Sequence, residues 1–425
     1  MPDSLSAWLA TLERRHYRPI DLGLERCSRV WRALAEPRPA AGVITVAGTN
    51  GKGSAVAYIA AILGSAGARV GTYTSPHLLR FNERLRLPDG EASDAALVNA
   101  FERVESVRGE TSLSYFEFTT LAAFLLMHEA DLDWAVLEVG LGGRLDTVNL
   151  VDPDLAVIMP IGLDHQQYLG PDRESIGAEK AGILRAETPV VCGDRDPPQA
   201  VLNVARALEA PLLRLGRDFD FYAEGGRCLF RCAGRTLAFP DPPMRGAHQW
   251  DNLATALAAV AVAAPQLLDD GRGWRTALEA TQLPGRLSRH AGDDRIILDV
   301  GHNPLAAEVV AAELASRRGG KVHCVLGMLR DKDAESVARV LAGQVDRWYF
   351  AGLQGDRGQS GAALQRRVRS VLPEPEAEAY ADVAAALEAA RDCAAAEDLI
   401  LVFGSFGTAA AALRALSART AGTAH

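Results

Sequence analysis

Two rhythms of apolar residues alternate along the chain. Short runs, many of them β-branched, stand at Val43 to Val46, Arg69 to Thr74, Trp134 to Val139, Leu155 to Met159 and Pro189 to Cys192, and each reads as a buried strand. Between them, apolar residues recur at helical spacing. Leu5 to Leu12 predicts a short amphipathic helix, Ile20 to Arg26 opens a second, and Val56, Ile59 and Leu63 share one face of a third. Ser93 to Val107, Tyr115 to Glu129 and a segment starting at Arg173 continue the helical pattern. Strands alternating with helices call for a mostly parallel sheet covered on both faces.

The texture changes from Asp218 to Phe239, where short alternating segments are split at Gly225-Gly226 and Ala233-Gly234. That pattern predicts a small antiparallel meander. Helices at Asn252 to Ala263 and Trp274 to Ala280 lead to Leu283-Pro284-Gly285-Arg286, and the Pro-Gly punctuation sets a domain boundary, giving domains 1–287 and 288–425. Beyond it, strands at Ile296 to Asp299, Val322 to Leu326, Trp348 to Ala351 and Leu399 to Phe403, with a helix from Pro304, repeat the rhythm. The expected fold is therefore α/β: a P-loop-type, mostly parallel sheet domain with a small antiparallel meander, and a smaller doubly wound α/β C-terminal domain.

Composition narrows the function classes. The 425 residues are 48% hydrophobic and 23% charged, ordinary for a globular chain, and the net charge is −9. An acidic chain with scattered arginines argues against sequence-independent nucleic-acid binding. Six cysteines without C-x-x-C spacing read as reduced thiols. Met1 to Arg15 lacks the form of a signal peptide, and the longest uncharged stretch, Leu253 to Leu268, is alanine-rich and broken by Pro265. We expect a monomeric cytoplasmic enzyme with small-molecule substrates, no nucleic-acid partner and no membrane contact.

The chemistry begins at Gly48-Thr49-Asn50-Gly51-Lys52-Gly53-Ser54, directly after the first long strand. Glycines let successive N–H groups point inward, the following helix adds partial positive charge, and Lys52 adds a full one, so an anion with several oxygens fits. Gly53 separates the lysine from the Ser54 hydroxyl, a departure from G-x-x-x-x-G-K-[ST] that displaces the usual magnesium-binding hydroxyl. Lys52, Ser75, Glu138 and His165 all follow predicted strands, and in a parallel sheet such ends share one edge. A hydroxyl, a carboxylate and an imidazole suit magnesium on nucleotide phosphates better than zinc. Asp299 and His302 hold the same position in the second domain, where they could hold an ammonium group or orient a nucleophile, while Asn303 before Pro304 caps a helix. Arg286 reads equally as a phosphate ligand in a crevice between the domains and as a surface arginine at a turn.

Taken together, Val46 to Ser54, Ser75-Pro76-His77-Leu78, Glu138 to Asp146, Glu179-Lys180-Ala181-Gly182-Ile183 and Asp299 to Pro304 resemble the folylpolyglutamate synthase family of the Mur-ligase superfamily. The likeness runs from Ile20 to about Ser405-Phe406, and Ile20 to Arg26 most resembles the bacterial bifunctional members. It implies an ATP-dependent amide ligase that joins L-glutamate to 7,8-dihydropteroate and adds glutamates to reduced folates. A substrate carboxylate becomes an acyl phosphate, and the glutamate amine displaces phosphate. The resemblance further implies that Asn50, Gly51, Lys52, Gly53 and Ser54 hold ATP phosphates with help from Asn252 and Arg286. Ser75 and Glu138 would ligate one magnesium ion and His165 a second, with Lys180 a ligand once carbamylated. Lys52, His165, Asp299 and His302 would be catalytic, Arg84, Asp299, His302 and Ser405 would bind glutamate, and Phe116 and Asp146 would form the pterin pocket. Ala55 and Gly301 depart from the family pattern without removing a charged participant. A monofunctional folylpolyglutamate synthase is the near alternative. A muramyl ligase is disfavoured by Gly-Lys-Gly-Ser, and a non-catalytic nucleotide-binding regulator by the retention of Lys52, Glu138, His165, Asp299 and His302.

Overall fold

The buried run around Val43 to Val46 forms the middle of an eight-stranded sheet in the computed structural model, which describes residues 2–16, 21–268, 273–317, 319–372 and 376–422. The strands are β1 (Gly42–Ala47), β2 (Val70–Tyr73), β3 (Leu85–Leu87), β4 (Gly90–Glu91), β5 (Trp134–Glu138), β6 (Leu155–Ile158), β7 (Val190–Cys192) and β8 (Leu212–Arg214), in the order β4-β3-β2-β5-β1-β6-β7-β8. Every residue of β1 is buried, which is why its sequence is a continuous apolar run and not an alternating one. β1 pairs in parallel with β5 on one side and β6 on the other. The chain goes from β1 out to β2, returns to β5, and only then crosses to β6. The strand order therefore reverses at β1, and the loop after β1 opens where α/β sheets bind ligands.

One face of this sheet is covered by helices Leu5–Arg15, Glu25–Ala33, Asp94–Arg108 and Tyr115–Glu129, whose Trp8, Phe101 and Phe118 rings meet at 5.6 to 5.9 Å. Helix Lys52–Ser65 packs on β1, β2 and β5. The short hairpin β3–β4 and the 3-10 turn Phe81–Arg84 before it carry no hydrophobic period, and the sequence did not predict them. The meander forms as expected: β9 (Phe219–Glu224), β10 (Arg227–Cys232) and β11 (Arg235–Ala238) are antiparallel, turned at Gly225-Gly226 and Ala233-Gly234, all four with positive φ.

The chain forms two compact units, Met1–Pro243 with Trp250–Thr281, and Met244–Gln249 with Gln282–His425. The second holds β12 (Ser288–His290), β13 (Asp293–Leu298), β14 (Val322–Leu326), β15 (Arg347–Ala351), β16 (Ala377–Tyr380) and β17 (Leu399–Phe403), ordered β12-β13-β17-β14-β15-β16 and parallel except at β12. Alternate residues feed two separate cores. Cys324, Leu326, Trp348, Phe350, Leu401 and Phe403 face one, and Val325, Tyr349, Ile400 and Val402 the other, so helices cover both sides. Edge strands β12 and β16 are short and have no buried residue, which left them invisible in the hydrophobic pattern. Among the described residues no helix is long and apolar enough to cross a membrane, and the six cysteines are all free.

Candidate functional site

The loop after β1 is held open by its glycines. Gly48 and Gly51 have φ of 151° and 85°, and a Cβ on Gly48 would stand 2.6 Å from the Met159 Cβ and 3.0 Å from Met159 backbone. A Cβ on Gly51 would meet the buried Asn252 side-chain oxygen at 2.6 Å, which shows how closely Asn252 lies on the loop. Thr49 is anchored by Pro160 O and by two bonds between its hydroxyl and Gly162. Asn50 and Gly51 lead into helix Lys52–Ser65, so Gly53 and the buried Ser54 sit in its first turn, where N–H groups lack intrahelical partners. The Lys52 ammonium donates to Gly48 O and Thr49 O at 3.1 Å and stands 3.9 Å from Glu138 Oε1.

Lys180 adds a second ammonium at the same carbonyl. It lies on helix Arg173–Ala181, is 4% exposed, and donates to Gly48 O at 2.9 Å. Burial, then the charge of Lys52, pull its pKa down to about 7, against the opposing carboxylates of Asp164 and Asp146. Gly143 lets the loop after β5 lie on this helix: a Cβ there would stand 2.8 to 3.0 Å from Glu179 O, Lys180 O and Lys180 Cα. Gly48→Ala is expected to cost about 1–3 kcal/mol through backbone strain and the Met159 clash. Because both ammoniums bind its carbonyl, ADP affinity should fall as well; calorimetric ADP titration beside a thermal melt checks this, and unchanged affinity would overturn it.

Glu138 ends β5, and its carboxylate accepts the Ser75 N–H at 3.2 Å from beyond the end of β2. His165 follows β6 in a left-handed conformation, with its Nε2 3.9 Å from Asp164 Oδ1. Strand ends therefore bring Ser75, Glu138 and Lys52 to one edge, with Lys180 reaching it from a helix. No group of three or more His, Cys, Asp or Glu side chains that could hold a metal ion is present among the described residues. A hydroxyl, one carboxylate and one imidazole instead suit a magnesium ion that takes its remaining oxygens from phosphates and water. Asp164 carried no assignment in the sequence, although it sits beside His165 after a strand; the fold turns its charge toward Lys180.

Phe116 and Asp146 come together around Gly140, whose Cβ would stand 2.6 Å from the Phe116 ring and 3.3 Å from Asp146 Oδ2. The Asp146 carboxylate already accepts N–H bonds from Leu141 at 2.8 Å and Val148 at 2.9 Å, and burial pushes its pKa up to about 6. Phe116 follows Tyr115 at the start of helix Tyr115–Glu129, and the segment Asp21 to Arg26 is tied to that helix start. Arg26 bridges Asp21 at 2.8 Å and the buried Glu117 at 3.0 Å, and His16 bonds Asp21 and Ser112. Ile20, the first residue of that segment, lies outside the described residues.

Arg84 is in the first unit, whereas Asp299, His302 and Ser405 are in the second. Its Nε donates to His77 Nδ1 at 2.9 Å, and its guanidinium lies 5.4 Å from both the Phe81 and the Tyr115 ring centres. In the second unit, buried Asp299 accepts N–H bonds from Leu287 at 3.0 Å and Gly301 at 2.7 Å; burial raises its pKa, against Arg286 and these N–H groups. Arg286 lies 5.3 Å over the Phe406 ring, and His302 Nδ1 is 3.0 Å from Val300 O. Asn303 caps helix Pro304–Ala315 as its sequence position suggests. The Ser405 hydroxyl is engaged in a helix start, accepting the Thr408 N–H at 3.0 Å and lying 2.7 Å from a Thr408 hydroxyl that itself donates to Gly327 O.

Comparison with known proteins puts this geometry in context. The family model described as Mur ligase middle domain matches residues 46–260, and that described as Mur ligase, glutamate ligase domain matches residues 285–406. The dihydrofolate synthase/folylpolyglutamate synthase of Escherichia coli strain K12 is 42% identical over 419 residues, 98% of this chain and 97% of its own. The protein of that name from Haemophilus influenzae is 40% identical over 96% of both chains. Among solved structures, E. coli FolC in complex with DHPP and ADP matches with a TM-score of 0.92 at 41% identity, covering 99% of this chain and 100% of that one. A bifunctional folylpolyglutamate synthase/dihydrofolate synthase with Mn, AMPPNP and L-glutamate bound matches with a TM-score of 0.89 at 42% identity, covering 98% of each.

Proposed function

Because this chain belongs to the Mur ligase family, in its dihydrofolate synthase/folylpolyglutamate synthase branch, we propose that it forms amide bonds to L-glutamate at the expense of ATP. Its acceptors are 7,8-dihydropteroate, giving dihydrofolate, and reduced folates, giving polyglutamates. The observation that carries this reading is the glycine loop with Lys52 beside Glu138 and Lys180 on the Gly48 carbonyl, a site built for a polyphosphate and a divalent cation.

In this reading the N–H groups from Asn50 to Ser54 and the Lys52 ammonium hold the transferring phosphate, with Asn252 and Arg286 on the nucleotide. Phosphoryl transfer needs positioning and charge neutralisation more than covalent chemistry, and these groups supply both. Ser75, Glu138, His165 and carbamylated Lys180 would hold magnesium, which neutralises phosphate charge when bound. The acceptor carboxylate takes the γ-phosphoryl group, ADP leaves, and the glutamate amine then attacks the acyl carbon and expels phosphate. Asp299 and His302 receive the incoming glutamate, and Phe116 and Asp146 the pterin. We further infer a cytoplasmic monomer.

Purified protein with ATP and magnesium should release ADP only when an acceptor and L-glutamate are both present. Dihydropteroate and a reduced folate should each serve. Turnover with the reduced folate alone would make the enzyme monofunctional, and ADP release indifferent to both acceptors would overturn the ligase reading.

A further inference from the structure

Arg195 lies in the loop after β7, and nothing said so far gives it a task. Its guanidinium engages carboxylates from two segments distant in sequence. Nε and Nη2 donate to Asp251 at 2.7 to 3.2 Å, and Nη1 and Nη2 donate to Asp220 at 3.0 to 3.3 Å. The charge also lies 5.5 Å from the Phe221 ring centre. A half-exposed ion pair usually contributes little, but one arginine in two-point contact with two carboxylates and stacked on a ring has its geometry fixed. Arg195 therefore ties β9, the first strand of the meander, to the start of helix His248–Ala263.

What that helix start carries gives the tie a purpose. Trp250, Asp251 and Asn252 are consecutive, and each is held differently. Trp250 packs 5.5 Å from both the Phe221 and the Phe239 ring of the meander region, and Asp251 takes Arg195. Asn252, 2% exposed, lies on the phosphate loop, where its side-chain oxygen would stand 2.6 Å from a Cβ on Gly51. Gly193 lets the Arg195 loop rest against the helix one turn further on: a Cβ there would stand 2.3 Å from the Thr255 hydroxyl oxygen, which donates to Asp251 O at 2.7 Å. The loop is itself anchored, since buried Asp194 accepts the Ile161 N–H at 2.9 Å and an Arg173 N–H at 3.2 Å. A side chain whose backbone is fixed from behind loses less freedom when a ligand meets it, so the ligand binds more tightly.

Resting on the ligase reading, we infer that Arg195 is a positioning residue for the nucleotide: by clamping Asp251 to Asp220 it holds Asn252 on the phosphate loop. The meander thereby sets ATP affinity through Asn252 and not through a contact of its own.

Calorimetric titration with ADP reads this without turnover. Arg195→Ala should weaken ADP about fivefold, the upper end for an exposed ion pair, and Asp251→Asn should do the same. Arg195→Lys, which keeps the charge and loses the fork, should fall between. In an Asn252→Ala background Arg195→Ala should cause no further loss, because the group through which it acts is gone. A general loosening of the fold, or plain repulsion of the nucleotide by the two released carboxylates, would persist in that background and would overturn the inference, as would unchanged ADP affinity in Arg195→Ala. In steady state the KM for ATP should rise by a similar factor while kcat and the KM for L-glutamate stay as they are; equal rises in both KM values would overturn it too. Should Arg195→Ala fail to fold, Asp251→Asn carries the same comparisons. Wild-type protein that binds ADP with these dependences yet ligates no glutamate would overturn the ligase reading and leave the role of Arg195 in place.

Discussion

Lys52→Ala is expected to lower kcat by at least about 10²–10³, the scale set by removing one preorganised charge that meets a developing oxyanion. Lys52 lies 3.9 Å from Glu138 and curls back onto Gly48 O and Thr49 O at the mouth of the loop. From there its ammonium can follow charge onto the transferring phosphoryl group, while the backbone N–H groups stay where the glycines hold them. The substitution therefore removes a full charge and leaves the nest. ADP should still bind, more weakly, and the melting temperature should move by only a few degrees. Steady-state ADP release, with acceptor and glutamate saturating, checks the prediction. Near-normal turnover would remove Lys52 from the phosphoryl step.

Lys180→Ala should be nearly as damaging and should be partly repaired by added acetate or formate. A buried amine that shares a carbonyl with Lys52 is poorly placed as a free cation, since like charges and desolvation both oppose it. Carbamylation, which the family resemblance implies, would resolve the conflict. In that modification the neutral amine would attack carbon dioxide, an N–C bond would form, one N–H proton would be lost to water, and the side chain would become an anionic oxygen donor near Gly48 and Lys52. Truncation leaves a cavity in which a small carboxylate can stand in for those oxygens. We expect a loss of about 10²-fold or more in kcat, recovered tenfold or so by acetate, by analogy with the loss of other charge-stabilising groups. Full activity without added carboxylate would refute a ligand role. In the wild type, a carbamate carbon signal after equilibration with ¹³C-labelled carbon dioxide, absent from Lys180→Ala, provides a readout independent of turnover.

Much of the architecture was legible because burial on two faces writes itself into sequence. β1, β5, β6, β14 and β17 are mostly apolar and almost wholly buried, and the sequence located each to within a residue or two. Capping was readable at Asn303, which accepts an N–H from the first turn of the helix that follows. Elements at the sheet edges escaped. β3, β4, β12 and β16 are short, and their exposed positions impose no periodicity. The grouping of Met244–Gln249 with residues beyond Thr281 escaped too, because a linear reading cuts a chain only once at each boundary.

Individual side chains divide in the same way. The sequence by itself determined the phosphate loop, since only glycine adopts the backbone at Gly48 and Gly51 without strain and only a lysine in that turn adds a full charge there. It also determined that Ser75, Glu138 and His165 follow strands, because strand ends are a property of local pattern. What only the tertiary structure decided is which charges face one another across elements distant in sequence. Lys180 comes to Gly48 across 132 residues, Asp164 turns its charge on Lys180, Ser405 is drawn into a helix cap, and Arg84 is caged by Phe81 and Tyr115. Electrostatic energy depends on separation and burial, and neither quantity exists until the chain has folded.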